Sequence, residues 1–272
     1  MRFPAVAGQF YEGDSRALAA QVESCYRHPL GPGDRPRVAR SGPRTLKGLV
    51  VPHAGYMYSG PIAAHAYAAL ARDGLPETFV ILGPNHTGLG SMVALGAHDW
   101  ETPLGVAEYD RDLGAKMLRD PITDDIIAHR HEHSIEVQLP FLQDLSGKLK
   151  FVPICMMLQE LEDAIRVGRI VRDAIKGQDV VVIASTDFSH YIPKEEAARR
   201  DRLAIDQILA FDVPGFFRTI RKHDVSMCGY GPVMAMMTAI GSATPEVLKY
   251  GSSGDVAPMR DVVGYAAIAM RR

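Results

Sequence analysis

Four short runs of almost uninterrupted hydrophobic residues occur between residues 46 and 185, and they predict strands. The runs read LKGLVV, TFVILG, KFVPICMML and DVVVIAS. Continuous rather than alternating apolarity is typical of strands that are buried on both faces, as in a parallel sheet. We therefore expect these four runs in the middle of a sheet that helices cover on both sides.

Segments with a helical spacing of apolar residues lie between the predicted strands. One of them, PIAAHAYAALARDG, is expected to begin with Pro61 in its first turn and to end at Gly74. Two more, ELEDAIRVGRIVRDAI and KEEAARRDRLAIDQILA, are amphipathic. Alternating strands and helices imply right-handed crossovers. We expect a single α/β domain over residues 1–272, with a mostly parallel central sheet flanked by helices.

Three further segments complete this outline. Residues 15–26 predict a helix, because the apolar residues Leu18 and Val22 recur on one side. Residues 91–106 predict either a hairpin or an irregular insertion. The tail, residues 246–270, predicts two more strands around a loop rich in Gly, Ser and Pro.

The composition narrows the class of protein without naming a function. The chain of 272 residues is 47% hydrophobic and 23% charged, with a net charge of −2. This balance predicts neither a nucleic acid nor a membrane surface as a partner. The chain has no apolar run of about 18 residues and no signal-peptide pattern at its start. Three sparse cysteines without a CxxC pair favour a reducing cytoplasm over a disulfide framework.

Three of the predicted strands lead into a histidine soon after they end. The stretches are LVVPHAG, VILGPNHTG and VVIASTDFSHY, with His53, His86 and His190. In an open parallel sheet, ligands bind in the crevice beyond the carboxyl ends of the strands. The pattern predicts that the three histidines meet at one edge of the sheet. The alternative is a coincidence of three structural loop histidines.

The third stretch also holds a carboxylate, since Asp187 precedes His190 by three positions. If the chain turns helically there, the two side chains share a face. Asp187 would then fix the tautomer of the imidazole, raise its pKa or join it on a metal. The alternative is that Asp187 or Ser189 caps the next turn.

Cys228 stands in the stretch SMCGYGPVMAMMTAIG, just before a helix that is expected to begin near Pro232. The positive end of a helix dipole lowers the pKa of a nearby thiol and favours the thiolate. The alternative is a small buried hydrophobic side chain. Cys25 and Cys155 are expected to be core residues.

The histidine-rich stretch HRHEHSIEVQLPFL fits either a metal-binding tract or a solvated turn before an amphipathic segment. For His129 and His131 the solvated turn is favoured. Other known signatures are missing from the sequence. It has no GxGxxG after a strand, no GxxxxGK[ST] loop, no GxSxG elbow and no HExxH.

Six motifs, read together, resemble the Memo family. They are AGQFY, VPHAGYMYSG, GPNHTG, EHSIEVQLPFL, STDFSHY and CGYGP, and their order spans nearly the whole chain. The resemblance implies a fold similar to the class III extradiol ring-cleaving dioxygenases, of the protocatechuate dioxygenase β-subunit kind. Those enzymes hold non-haem Fe(II) with two histidines and a carboxylate, and a further histidine acts as general base.

The same resemblance implies which residues form the site. His53, His86 and Cys228 match the pocket residues that would bind a metal. Asp187 and His190 match two further pocket residues, and the stretch from Glu132 to Ser134 lines the same region. We take Asp187, His190 and His133 as candidate catalytic residues, and Glu136 as part of the pocket wall.

A site of two histidines and one cysteine differs from the dioxygenase set. A thiolate makes the site softer and favours copper, zinc or thiolate-bound iron. It also offers a group that dioxygen can oxidise. Iron and copper are therefore the favoured metals, with zinc as a third candidate. Asp187 remains the residue that would supply a carboxylate ligand.

Three functions stay open on the sequence. The first is a metal-dependent oxidoreductase that acts on a small molecule. The second is a non-catalytic module that uses the dioxygenase-like pocket for a phosphopeptide or another anionic ligand. The third is a metal carrier or redox-control protein with Cys228 as the sensitive group. The resemblance also implies AMMECR1-like and radical-SAM proteins as partners.

Overall fold

One sheet of eleven strands organises the computed structural model, which describes residues 1–272. The strands are β1 (Leu46–Val51), β2 (Thr78–Pro84), β3 (Val93–Leu95), β4 (Trp100–Thr102), β5 (Gly105–Tyr109), β6 (Thr123–Asp124), β7 (Lys150–Met156), β8 (Val180–Ser185), β9 (His190–Pro193), β10 (Thr244–Ser252) and β11 (Asp261–Arg271). The four runs of continuous apolarity are β1, β2, β7 and β8, as predicted.

Nine α-helices surround the sheet. They are α1 (Ser15–Arg27), α2 (Tyr56–Asp73), α3 (Arg111–Ala115), α4 (Leu139–Leu145), α5 (Leu161–Ile175), α6 (Lys194–Leu209), α7 (Val213–Lys222), α8 (Tyr230–Ile240) and α9 (Ser253–Val256). Two short 3-10 helices cover Ile127–His129 and Glu136–Gln138. None of the helices has the length and apolarity that a bilayer crossing requires.

The order of the strands sets the direction of each one. Along the main path the order is β10-β11-β1-β8-β2-β7-β3-β6. The four central strands, β1, β8, β2 and β7, run parallel to their neighbours in this group. Antiparallel neighbours lie outside them, with β11 on β1 and β3 on β7. The expected fold class is confirmed: an α/β domain with a large mixed, mostly parallel sheet flanked by helices.

The central strands have apolar side chains on both faces because each face is covered. In β8, Val182 and Ala184 point into a core shared with α5, α7 and α8. Val181 and Ile183 point into a second core shared with α1, α2 and α4. All four side chains are at most 1% exposed. Burial on both faces is the physical reason that the sequence pattern is continuous.

The structure also tests the expectations for three segments: helix α2, the tail and residues 91–106. Helix α2 begins at Tyr56, so Pro61 lies inside it rather than in its first turn, whereas the end at Gly74, with φ 89°, is confirmed. The tail forms the two expected strands, β10 and β11, and they pair antiparallel. In the region 91–106 a hairpin is present, formed by β4 and β5.

Candidate metal centre

Three side chains from distant parts of the chain meet at the carboxyl edge of the central strands. His53 follows β1, His86 follows β2 and Cys228 precedes α8. One potential ligand atom from each of them lies within 4.8 Å of the others. The Sγ atom of Cys228 is 3.2 Å from Nε2 of His53. The imidazole rings of His53 and His86 are 5.2 Å apart, edge to face. The structure thus brings together the three residues that were predicted as metal ligands.

The tautomer of His53 follows from its hydrogen bonds. The Oγ–H of Ser185 has a single proton, which it donates to the carbonyl of Ser134 at 2.6 Å. Ser185 Oγ also accepts from Nε2 of Gln138 at 2.8 Å. Nδ1 of His53, 2.8 Å from the same Oγ, must therefore be the donor. Its Nε2 then carries a free lone pair, directed towards Cys228.

Gln138 is itself held in one orientation. Its Nε2 donates to the carbonyl of Pro52 at 3.0 Å, and its Oε1 accepts from the hydroxyl of Tyr67. Both side chains are buried. The chain of contacts from Tyr67 through Gln138 and Ser185 therefore fixes the ring of His53 from behind.

The pKa of His53 is lowered well below its usual range. The main cause is burial, followed by the charges of His133 and His86. His53 is only 1% exposed. The imidazole is therefore neutral, which is the form that binds a metal.

A buried carboxylate performs the same orienting task for His86. Oε1 of Glu132 lies 2.9 Å from Nδ1 of His86, and Oε2 accepts from the backbone N–H of that residue. Burial alone would raise the pKa of Glu132, but the hydrogen bond from His86 and the nearby imidazoles lower it to about 2. Glu132 is thus an anion that accepts Nδ1–H and leaves Nε2 of His86 free. Carboxylate partners of this kind orient metal-binding histidines and raise their basicity.

His133 completes a group of three imidazoles. Its ring stacks on that of His86 at 4.6 Å and lies 5.3 Å from that of His53. Its Nδ1 is 3.3 Å from Oε1 of Glu132. Burial lowers the pKa of His133 to about 4. His86, Glu132 and His133 also form a second set of donor atoms within 4.8 Å. The sequence-predicted catalytic residue His133 therefore lies beside the predicted metal ligands.

Asp187 holds two of the predicted ligands through their backbone and thiol groups. Its Oδ1 accepts from the backbone N–H of His53 at 2.8 Å. Its own N–H donates to Sγ of Cys228 at 3.2 Å, and its carbonyl accepts from the N–H of Cys228 at 3.3 Å. The carboxylate of Asp187 belongs to neither set of donor atoms within 4.8 Å. Burial raises its pKa to about 6, against the hydrogen bond from His53.

His190 adjoins this group, but not through the expected helical turn. The chain between Asp187 and His190 is not helical, and His190 begins β9. Neither Asp187 nor Ser189 caps α6, whose N-cap is Pro193. Nδ1 of His190 lies 2.7 Å from the carbonyl of Ser226, so Nδ1 carries the proton and Nε2 is free. The imidazole of His190 is therefore positioned by the first residue of β9 and by the carbonyl of Ser226, not by a helical face shared with Asp187.

Of the two interpretations that the sequence leaves open for Cys228, a neutral thiol fits the structure better than a thiolate favoured by the helix dipole. Burial, followed by the charge of Asp187, raises the pKa of the thiol. A positive charge from a bound metal is what would deprotonate this thiol.

Two residues of the histidine-rich stretch have roles that the sequence did not predict. His129 was expected in a solvated turn, but it is fully buried, and its Nε2 lies 3.0 Å from the carbonyl of Ala94. His131 is exposed, as expected. Glu136 was expected in the pocket wall, but it forms a buried ion pair with Arg2 and accepts from Tyr11. It therefore anchors the N-terminal segment.

Arg2 makes this anchor specific. Its guanidinium donates to the carbonyls of His129 and Glu132 at 3.0 and 2.7 Å, and it lies 4.3 Å from the centre of the Trp100 ring. Because Glu132 orients His86, the N-terminal segment supports the backbone from which the candidate site is built.

Sequence reasoning missed Ser185 and Gln138, the partners behind His53. One signal was present for each. Ser185 is a polar residue at the end of an otherwise apolar strand, and Gln138 follows the EHS stretch within a run of buried residues. A polar group in such a position needs a buried hydrogen-bond partner.

Comparisons with known proteins agree with the motif pattern. The family model for Memo-like protein matches residues 2–269. A MEMO1 family protein of Methanopyrus kandleri is 50% identical over 283 residues, which cover 100% of this chain and 99% of that relative. A MEMO1 family protein of Methanothermobacter thermautotrophicus is 48% identical over 280 residues, with 99% and 100% covered.

A solved structure supports the fold. An uncharacterized protein of Escherichia coli K12 superposes with a TM-score of 0.52 at 13% identity, covering 82% of this chain and 99% of that one. At this identity the likeness concerns the fold alone.

Proposed function

The chain belongs to the family of Memo-like proteins, and on that premise we propose that His53, His86 and Cys228 bind one redox-active transition-metal ion. The observation that carries the proposal is the approach of their donor atoms to within 4.8 Å. Two imidazoles and a thiol are a donor set that suits copper, iron and zinc. Iron and copper are the favoured ions.

The surroundings of the donor atoms support this proposal. Nδ1 of His53 donates to Ser185, and Nδ1 of His86 donates to Glu132. Both Nε2 atoms are thereby left as acceptors. The anionic Glu132 and the carboxylate of Asp187 also offset the positive charge of an ion. A hydrogen-bond partner on one nitrogen and a free lone pair on the other are typical of an imidazole that binds a metal.

We infer that the protein is a metal-dependent oxidoreductase that acts on a small molecule. Three protein ligands leave open positions on an ion, and a bound iron or copper ion would supply Lewis acidity and one-electron chemistry there. His190 and His133 are the acid–base candidates. His190 holds its proton on Nδ1 against the carbonyl of Ser226, so its Nε2 can accept a proton from a bound substrate. Asp187 keeps His53 and Cys228 in place.

A non-catalytic binding module is the second candidate, and one contact favours it. The dioxygenase pattern needs a carboxylate ligand, whereas Oδ1 of Asp187 accepts from the backbone N–H of His53. In this alternative, the imidazoles of the pocket would take up protons on Nε2 and donate them to a phosphopeptide or another anionic ligand. A metal carrier with Cys228 as its redox-sensitive group follows from the same donor set.

Family membership alone supports the proposed partners and location. We infer an association with AMMECR1-like and radical-SAM proteins in a reducing cytoplasm. Co-purification of tagged full-length chains tests the association. Separate elution of the three proteins at micromolar concentrations would contradict it.

Elemental analysis of protein purified under anaerobic conditions tests the main proposal. We expect about one iron or copper per chain, and dioxygen uptake when a panel of catechols is added. The Cys228→Ser protein is the matched comparison. Stoichiometric metal without any uptake would favour the carrier. The binding module would be favoured if the protein is metal-free, binds neither iron nor copper in a titration and binds a phosphotyrosine peptide.

A further inference from the structure

A cavity lies at the opposite edge of the sheet from the candidate metal centre. Its volume is about 490 Å³. Leu46 and Val180, at the amino ends of β1 and β8, form part of its wall, and the ends of α5 and α8 close it through Ile175 and Ile240. His53 follows Leu46 by seven residues along a strand, so the two sites are on the order of 20 Å apart.

Cations dominate the polar lining of this cavity. They are Arg44, Lys47, Arg172, Lys176 and Arg272. Two carboxylates also line it, but both are paired. Asp179 binds Arg44, and Asp173 binds Arg119 at 2.8 Å. The other four cations, which we call the cationic rim (Lys47, Arg172, Lys176 and Arg272), have no carboxylate within 4.0 Å.

Backbone carbonyls satisfy part of the cationic rim without cancelling its charge. Lys47 donates to the carbonyl of Ser242, and Nε of Arg172 donates to that of Thr238 at 2.9 Å. Both carbonyls lie at the carboxyl end of α8, which favours cations. Burial, followed by the charge of Arg272, lowers the pKa of Lys47. Lys47 and Arg272 therefore repel one another across the cavity.

The floor of the cavity is apolar. It is formed by Leu46, Ile175, Val180, Ala239 and Ile240. Leu46 is 6% exposed and Ile240 is 7% exposed, so both are firmly packed. A cavity of a few hundred Å³ with an apolar floor and a few converging charges has the size and character of a small-molecule site.

Arg44 makes the wall rigid. It has a left-handed backbone conformation, with φ 52°, and its guanidinium bridges the carbonyl of Gly74 and the carboxylate of Asp179. Because the charge of Arg44 is already paired with Asp179, Arg44 has a structural role in the cavity wall. The cationic rim is left to bind a ligand.

We propose that this cavity binds a small organic phosphate, with an apolar body against Leu46, Val180 and Ile240 and the phosphate against the cationic rim. A phosphate dianion accepts several charge-assisted hydrogen bonds, and planar guanidinium groups fit its oxygens in pairs. A single carboxylate would leave most of the four charges uncompensated. The ligand site is separate from the metal centre and does not depend on it.

Calorimetric titration of metal-free protein tests this proposal with three probes: 2-naphthyl phosphate, 2-naphthol and inorganic pyrophosphate. We expect saturable binding of one 2-naphthyl phosphate per chain. Naphthol lacks the anion and pyrophosphate lacks the apolar body, so each should bind at least about tenfold more weakly. Raising the salt concentration should weaken binding of the phosphate probes.

The decisive variant is Lys176→Met with Arg272→Met. Lys47 and Arg172 donate to backbone carbonyls. The side chains of Lys176 and Arg272 make no such bond, so the fold should not depend on them. We expect at least about a tenfold loss of affinity for 2-naphthyl phosphate. The matched control is Arg218→Met with Lys222→Met, which removes the same charges from two exposed positions of α7 that do not line the cavity. It should bind like the parent protein.

Three results would overturn the proposal. The first is no saturable binding of 2-naphthyl phosphate below about 10 mM, a dissociation constant that corresponds to about 3 kcal/mol of binding free energy. The second is an equal affinity of the rim variant and the α7 control for 2-naphthyl phosphate. The cations of the rim would then serve only to stabilise helix ends. The third is loss of binding in His86→Ala, which would assign the probe to the other edge of the sheet.

Discussion

The thiol of Cys228 lies 3.2 Å from Nε2 of His53, although 175 positions separate the two residues in the chain. Asp187 sets this distance. Its carboxylate accepts from the backbone N–H of His53, and its N–H donates to Sγ of Cys228. One residue at the end of β8 therefore joins the end of β1 to the segment before α8, and the donor atoms are in place before any ion arrives.

Removing the thiol tests whether Cys228 is a ligand. In Cys228→Ser a neutral hydroxyl replaces the group that would become a thiolate. We expect the affinity for iron and copper to fall by at least about 100-fold, measured by competitive titration under anaerobic conditions. Cys25→Ser is the control, since that buried thiol lies on α1 and faces the carbonyl of Tyr56 in α2 at 3.9 Å. Unchanged affinity in Cys228→Ser would remove the thiol from the proposed site.

Asp187→Asn should weaken metal binding less than Cys228→Ser does. An amide oxygen still accepts from the backbone N–H of His53, so part of the positioning survives. We expect a loss of about 10-fold in the same titration. A loss as large as that of Cys228→Ser would indicate instead that the carboxylate is a ligand, as in a site with two histidines and a carboxylate.

Glu132→Gln tests the group that orients His86. The amide is neutral, and its NH₂ cannot accept from Nδ1 of His86 if it takes the place of Oε1. We expect metal affinity to fall by about 10–100-fold while the protein stays folded. Glu101→Gln is the control, because Glu101 is a half-buried residue of β4. If Glu132→Gln binds metal as the parent does, the tautomer of His86 is set in another way.

Glu136→Gln should destabilise the whole protein. It leaves Arg2 as an unpaired buried cation, since the two side chains are 2% and 0% exposed. We expect the free energy of unfolding to fall by about 3–5 kcal/mol in urea titrations. The control is Glu23→Gln, whose exposed pair with Arg27 should matter by less than about 1 kcal/mol. Equal effects of the two changes would contradict a buried anchor.

Asp73 should make the free energy of unfolding depend on pH under acidic conditions. Its carboxylate accepts from the N–H of Thr45 and Leu46 at 3.0 and 2.9 Å. Burial would raise its pKa, but these hydrogen bonds outweigh burial and lower it below 3.8. The stabilisation is therefore complete above about pH 4 and is lost as the pH falls further.

The variant Asp73→Asn measures this contribution. We expect it to be about 1–3 kcal/mol less stable than the parent at pH 7, with the difference shrinking below about pH 4. Asp206→Asn, at an exposed position on α6, is the control and should leave the curve unchanged. A difference that does not vary between pH 7 and pH 3 would contradict the assignment to the ionised carboxylate.

The central part of the fold could be predicted because local pattern and burial agree there. Each of β1, β2, β7 and β8 is covered on both faces, so apolarity alone marks it. The position of β11 between β10 and β1 could not be predicted, because strand order depends on pairing between distant segments. The start of α2 was also missed. A helix tolerates Pro61 at the cost of one hydrogen bond when the preceding turn is stabilised by packing.

The candidate site shows the same division. The ends of three strands pointed to His53, His86 and His190, because parallel strands end at a common edge. The hydrogen bonds that orient the rings could not be predicted from spacing. Arg2 and Glu136 are 134 positions apart in the chain, so the sequence did not show that they form an ion pair. Without its partner, Glu136 was assigned to the pocket wall.

The position of β11 has a consequence for how the chain acquires its fold. Strand β1 emerges early in synthesis, yet one of its two neighbours, β11, is made some two hundred residues later. Until then, one edge of β1 presents unpaired N–H and C=O groups, which can template pairing with other chains. Closure of the sheet therefore has to be a late, long-range and slow event. A nascent or truncated chain that ends before Asp261 would be a natural client for chaperones and prone to aggregate.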